Sequence, residues 1–163
     1  PNFPLKLHGV YTKAQIQVAI GTSTLARKSP AREGVERNKL LNVEAMFVDI
    51  IKNREEGSTT DYDDKALSPY LFQWDTQNRV KPESNEGQAY IHQIQTMLLF
   101  VREQKNFVED KTRTMGYVYL GRVTLSDWEY KNLGNRMQMQ IRWNMVEPIP
   151  GSVMHFARMI EIA

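Results

Sequence analysis

Carboxamides and a guanidinium follow an aromatic strand near the middle of the chain. Residues 70–75 read Tyr-Leu-Phe-Gln-Trp-Asp, and Gln77, Asn78 and Arg79 come soon afterwards. An indole face flanked by such groups is what a protein uses to stack on a nucleobase and to hydrogen-bond its edge. The spacing predicts an open cup for a nucleotide around Trp74. A structural turn beside a packed core is the alternative, and the residues leave both open.

Two further polar residues approach this mouth from the next predicted helix. Ser84 is a suitable N-cap, and Gln88 follows one turn later. A helix start also presents free N–H groups that suit a phosphate. We therefore assign both residues to the recognition site, together with Arg102, which closes a later hydrophobic run.

Basic residues are concentrated between positions 27 and 39. The segment holds five cations against two glutamates: Arg27, Lys28, Arg32, Arg37 and Lys39, with Glu33 and Glu36. Four of them are assigned to the phosphates of DNA: Arg27, Lys28, Arg32 and Lys39. Contacts of this kind make affinity fall steeply with salt. An ordinary solvated loop is the other interpretation.

Familiar catalytic motifs are missing from the sequence. It has no P-loop, no Gly-x-Ser-x-Gly and no His-Glu-x-x-His, and its three histidines stand far apart. We expect no cofactor and no metal site. One acidic pattern is kept as an alternative, because Asp75 ends one strand while Glu103 and Lys105 close another. That is the layout of Mg²⁺-dependent nucleases, although a charged strand end turning into a loop has the same pattern.

Composition places the chain among ordinary globular proteins. Its 163 residues are 41% hydrophobic and 25% charged, which suits a single domain over residues 1–163. The absence of cysteine excludes a disulfide framework and fits a cytoplasmic protein. No run of 18 apolar residues predicts a membrane span, and a net charge of +2 is only weak evidence for a polyanionic partner. Since the first residue is proline, we expect a domain excised from a longer protein.

Apolar runs predict at least five strands, and capping residues predict three helices. The strands are expected at 42–51, 70–75, 97–101, 115–125 and 137–145, and the helices at 12–21, 85–93 and 152–160. Residues 22–39 and 104–114 are expected to form exposed loops, with Gly116 and Gly121 as bulge sites. The fold class is therefore α+β, with a mostly antiparallel curved sheet or barrel and about three short helices at its ends.

Short segments along nearly the whole chain carry a family resemblance. They are residues 5–8, 11–12, 33–35, 62–64, 66–68, 71–74, 76–78, 82–84, 87, 90–91, 99–103, 119–121, 143 and 147–150. In this order and spacing they resemble an uncharacterised bacterial domain found C-terminal to superfamily-two helicases. A phospholipase-D-like nuclease often stands at the other end of such proteins.

The resemblance implies a module of restriction or phage-defence proteins, with the adjacent helicase and nuclease domains as partners. It supplies no catalytic residue. By analogy alone, the β-rich pattern is compatible with a base-reading barrel similar to the SRA and PUA-like folds.

Three hypotheses follow. The leading one is a non-enzymatic DNA-recognition module that reads sequence, modification or structure. The second is a Mg²⁺-dependent nuclease that uses Asp75, Glu103 and Lys105. The third is a scaffold that binds the neighbouring helicase domain and never touches DNA.

Overall fold

A computed structural model describes residues 2–23, 34–51 and 64–158 of the chain. In chain order its elements are β1 (Val10–Tyr11), α1 (Lys13–Ala19), β2 (Val35–Asn38), β3 (Val43–Asp49), β4 (Lys65–Ser68), β5 (Leu71–Asp75), α2 (Asn85–Ile91), β6 (Thr96–Arg102), β7 (Tyr117–Asn132), β8 (Met137–Met145) and α3 (Gly151–Ala157). All five predicted strands and all three predicted helices are present, so the expected α+β class is confirmed.

Local capping residues fix where the helices begin. The Thr12 side chain accepts a hydrogen bond from the Gln15 N–H, and the Gln15 side chain reaches back to Thr12, which completes a capping box for α1. Gly21 ends that helix with a φ of 80°, a value that glycine adopts without strain. Ser84 caps α2 as predicted, whereas α3 begins after Pro150 and not after Ser152.

The strands form one mixed, mostly antiparallel sheet. Their order is β2-β3-β6-β7-β8-β5-β4, with β1 paired to the start of β7, and only β3 and β6 run parallel. Register shifts interrupt β7 twice, at the positive-φ residue Gly121 and again between Leu125 and Asp127. Extra residues of this kind bend a strand and increase its twist, which curves the sheet.

Alternation along the central strands buries both faces of the sheet. Met97, Leu99 and Val101 of β6 face the larger core, which α2 and α3 cover. Leu98 and Phe100 face a smaller core under α1. Two-sided burial explains the continuous apolar run of this strand.

Three short strands were missed from the sequence. Residues 35–38 lie in the segment expected to be a loop, but they pair with β3 as strand β2. β1 and β4 are also outside the prediction, and β7 continues to Asn132. These segments lack a long apolar run, and their pairing partners stabilise them. Propensity alone could not reveal them.

Strand directions bring four connections to one end of the sheet. The hairpin loop 39–42 precedes β3, the 92–95 loop precedes β6, the 76–84 segment follows β5, and the 133–136 turn joins β7 to β8. We call this the turn end. Arg102 and residues 103–116 lie at the opposite end.

Candidate nucleic-acid interface

The loop after β5 places its predicted polar residues on the surface of the turn end. Asn78 and Arg79 are exposed, and Gln77 is half-buried. The Arg79 Nε donates to Gln77 Oε1 at 3.1 Å, and Arg136 of the β7–β8 turn donates to Asn78 Oδ1 at 2.7 Å. An Arg79 nitrogen also lies 3.7 Å from Glu86 Oε1, while 59% of the Arg79 side chain remains exposed. The structure therefore brings these residues together and adds Arg136 to them.

The start of α2 completes the same surface. The Gly87 N–H donates to Ser84 Oγ at 3.1 Å, and the Ser84 hydroxyl donates to the Lys81 carbonyl at 2.6 Å. A Cβ on Gly87 would lie 2.1 Å from that carbonyl oxygen, so only glycine allows this close approach. The exposed Gln88 donates to the Pro82 carbonyl at 2.7 Å. We define the rim as Gln77, Asn78, Arg79, Ser84, Gln88 and Arg136.

The open cup predicted around Trp74 is wrong. Its side chain is 4% exposed and packs in the larger core, with its ring centroid 5.4 Å from Tyr90 and 6.3 Å from Trp143. Phe72 and Trp74 share the face of β5 that this core covers, as strand alternation requires. Trp74 therefore anchors the interior, while the neighbouring amides lie outside.

Arg102 does not belong to the rim either. It lies at the opposite end of the sheet, is 8% exposed, and forms a two-point ion pair with Asp49 at 2.6 and 3.2 Å. It also donates to the Met115 carbonyl at 3.1 Å and stacks 4.2 Å from the Tyr117 ring centroid. Its assignment to the recognition site is wrong, because these contacts tie the guanidinium to the protein.

The basic segment is described only in part. Lys39 is exposed in the hairpin loop at the turn end. Arg27, Lys28 and Arg32 lie outside the described residues, so their role stays a prediction.

The acidic pattern of the nuclease alternative is not assembled. Asp75 pairs with Gln140, which faces Glu129 of β7, whereas Glu103 follows the end of β6 that faces Val118. About 30 Å of strand separates those two positions along β7. In the described ranges, no group of three histidine, aspartate or glutamate side chains could hold a metal ion.

A buried row of polar side chains crosses β5 and β8 on the face opposite Trp74. It consists of Gln73, Asp75, Gln138 and Gln140, each at most 6% exposed. Gln140 Nε2 donates to Asp75 Oδ1 at 2.9 Å, and Gln138 Nε2 donates to the Thr76 carbonyl. Among the described residues, Gln138 Oε1 has no hydrogen-bond partner. Glutamines alternate with Met139 and Ile141 along β8, so the sequence predicts that Gln138 and Gln140 share one face of the strand. No local feature predicts that this face is buried.

A buried ion pair braces the other end of α2. Arg37 of β2 binds Glu44 of β3, whose side chain is fully buried. Burial raises the pKa of Glu44, while Arg37 and a hydrogen bond with Tyr90 act in the opposite direction. Burial also raises the pKa of the Tyr90 hydroxyl. The ion pair and the hydrogen bond to Tyr90 connect β2 and β3 to α2, the helix that Ser84 caps and that contains Gln88.

Comparisons with known proteins address family and fold. A family model described as "Domain of unknown function (DUF3427)" matches residues 5–156. No curated protein matches the sequence. Among solved structures, the chain is similar to Arabidopsis thaliana SUVH6 in complex with SAM, at 11% identity and a TM-score of 0.53. The similarity covers 90% of this chain and 27% of that one.

The similarity concerns the fold alone at this level of identity. It supports the SRA/PUA-like architecture that the β-rich pattern suggested. In the described parts of the chain, no helix is long and apolar enough to cross a membrane.

Proposed function

This chain belongs to the family described as a domain of unknown function, DUF3427, and we propose that it is a DNA-recognition module. The observation that carries the proposal is the chemistry of the turn end. There Arg79 and Arg136 supply cations beside the exposed amide of Asn78, and Gln88 and Lys39 are exposed on other segments of the same end. Cations contact phosphates, and amides beside guanidinium groups hydrogen-bond the edges of bases.

The placement of the polar groups at the turn end also suits a nucleic acid. Its polar groups stand on connections that a rigid sheet positions, as binding residues commonly do. The hydrogen bonds from Arg79 to Gln77 and from Arg136 to Asn78 hold the planar groups in place without burying them. Holding a side chain in one geometry reduces the entropy that binding would otherwise cost.

In the parent protein, we place this module beside helicase and nuclease domains. The family resemblance described above supports that placement, and the domain would direct those activities to particular DNA in the cytoplasm. We propose that the module itself is non-catalytic. The carboxylates of the nuclease alternative lie at opposite ends of the sheet, which argues against that alternative.

A binding screen tests the proposal. Fluorescence anisotropy should be measured with duplexes, single strands and forks, with and without modified bases, at two salt concentrations. We expect binding to at least one class, with an affinity that falls steeply as salt rises. Failure of every DNA to bind would refute the proposed function and leave a scaffold role.

A charge-matched pair of variants locates the contact. Arg79→Ala should weaken binding several-fold and reduce the salt slope by about one. Lys111→Ala removes the same charge from the exposed loop at the opposite end and should leave binding unchanged. Equal effects of the two variants would mean that net charge alone attracts the DNA and that the rim is not the site.

A further inference from the structure

The most exposed large apolar residue of the described chain is Leu40. Its side chain is 95% exposed, and it occupies the hairpin loop 39–42 at the turn end. Leu41 beside it is 41% exposed, and Ile94 on the adjoining loop is 62% exposed. Single apolar residues are common on protein surfaces, so exposure alone assigns no function.

What distinguishes Leu40 is the set of hydrogen bonds made by the loop that presents it. Asn38 Oδ1 accepts hydrogen bonds from the Leu40 N–H at 3.1 Å and the Leu41 N–H at 3.3 Å. The same side chain donates through Nδ2 to the Ile20 carbonyl at 2.8 Å, which fastens the loop to the end of α1. One asparagine therefore fixes the backbone at Leu40 and Leu41 and attaches it to α1.

The far side of the loop is held as well. The Thr96 N–H donates to the Asn42 carbonyl at 2.7 Å, which connects the loop to β6. Asn42 has a φ of 50°, a left-handed conformation that asparagine tolerates better than most residues and that closes the hairpin. Hydrogen bonds at both ends of the loop therefore hold the backbone that carries Leu40.

We propose that Leu40 is a wedge that inserts between stacked base pairs of a DNA duplex. This inference rests on the proposed function. Apolar side chains that enter a base step unstack it and kink the duplex, while neighbouring cations hold the backbone. Lys39 is the adjacent cation, and strand directions place the loop at the same end of the sheet as the rim.

A DNA base step fits this loop better than a protein surface does. A stable protein interface buries roughly 800 Å² on each partner around a cluster of anchors. The loop offers Leu40 next to a lysine, with Leu41 and Ile94 as its exposed apolar neighbours, and three aliphatic side chains fall short of such a cluster.

The test uses duplexes that carry 2-aminopurine, whose fluorescence rises when its base unstacks. Wild-type protein should raise the fluorescence at one position of a bound duplex. Leu40→Ala should abolish that rise and weaken binding roughly tenfold, since it removes the apolar contact. Val108→Ala trims another exposed side chain, 77% exposed at the opposite end, and should change neither signal.

The outcomes separate the two proposals. If wild-type protein binds DNA and Leu40→Ala gives the same affinity and the same fluorescence, the wedge is wrong and the DNA-recognition function stands. If Leu40→Ala keeps the wild-type DNA affinity but no longer binds the neighbouring helicase domain, the wedge is wrong and Leu40 is a protein contact. If wild-type protein binds no DNA, both proposals fall.

Discussion

The core around Trp74 buries a large apolar side chain, whereas the hairpin loop around Leu40 exposes one. Trp74 is 4% exposed and packs against Tyr90 and Trp143. Its strand, β5, is paired on both sides, with β8 and with β4. Leu40 lies 95% exposed on a loop whose hydrogen bonds hold the backbone and leave the side chain outside. Trp74 is buried because helices pack against its face of the sheet. Leu40 is exposed because the hydrogen bonds of its loop fix the backbone with the side chain in solvent.

The difference shows that the aromatic side chains around Trp74 are structural, whereas the groups proposed to bind DNA are polar and lie at the turn end. The indole of Trp74 is close to the amides in sequence but not in solvent, because Trp74 lies on β5 under the larger core while Gln77 and Asn78 lie on the loop that follows the strand. At the turn end, the groups that remain available to a ligand are on connections, in the rim and in the 39–42 loop.

The largest effect should come from Trp74→Ala. Removing a buried indole leaves a cavity in the larger core and should lower the free energy of unfolding by about 3–5 kcal/mol. Urea denaturation measures it. Tyr70→Ala is the matched control, since that side chain is 59% exposed and its loss should cost no more than about 0.5 kcal/mol. A stable Trp74→Ala protein that fails only in DNA binding would restore the open cup.

Arg37→Ala should have the next largest effect. It leaves the fully buried Glu44 carboxylate without its cation, which should cost about 3 kcal/mol near neutral pH. Because burial raises the pKa of Glu44, the folded state binds more protons than the unfolded state between the two pKa values. Stability there falls as pH rises, and losing Arg37 raises the folded pKa further. The deficit should therefore be smaller at acidic pH than near neutral pH.

Urea denaturation of Arg37→Ala at two pH values checks this prediction. A second variant that combines Arg37→Ala with Glu44→Gln supplies the control, because it cannot titrate at position 44. Its stability should vary less with pH across the same range. A deficit that does not depend on pH would show that Glu44 keeps its charge by other means.

The smallest effect on stability should be that of Leu40→Ala. The side chain is almost wholly in solvent, so truncation should change the free energy of unfolding by no more than about 0.5 kcal/mol. Asn38→Ala should cost more, because it removes the hydrogen bonds to Leu40, Leu41 and Ile20. If Leu40→Ala destabilises as much as Asn38→Ala, Leu40 supports the fold and is not held out for a ligand.

The sequence by itself predicted five of the eight described strands and all three helices. Thr12 and Ser84 cap their helices where predicted, and the alternation of Met139, Ile141 and Trp143 marks β8, because caps and periodicity act within a few residues.

Only the tertiary structure decided which of those residues meet. Strand pairing across long separations brought Arg136 to Asn78 and Arg102 to Asp49. It also placed α2 over Trp74. These outcomes depend on the order and register of strands far apart in the chain, and a short window of sequence carries no record of them.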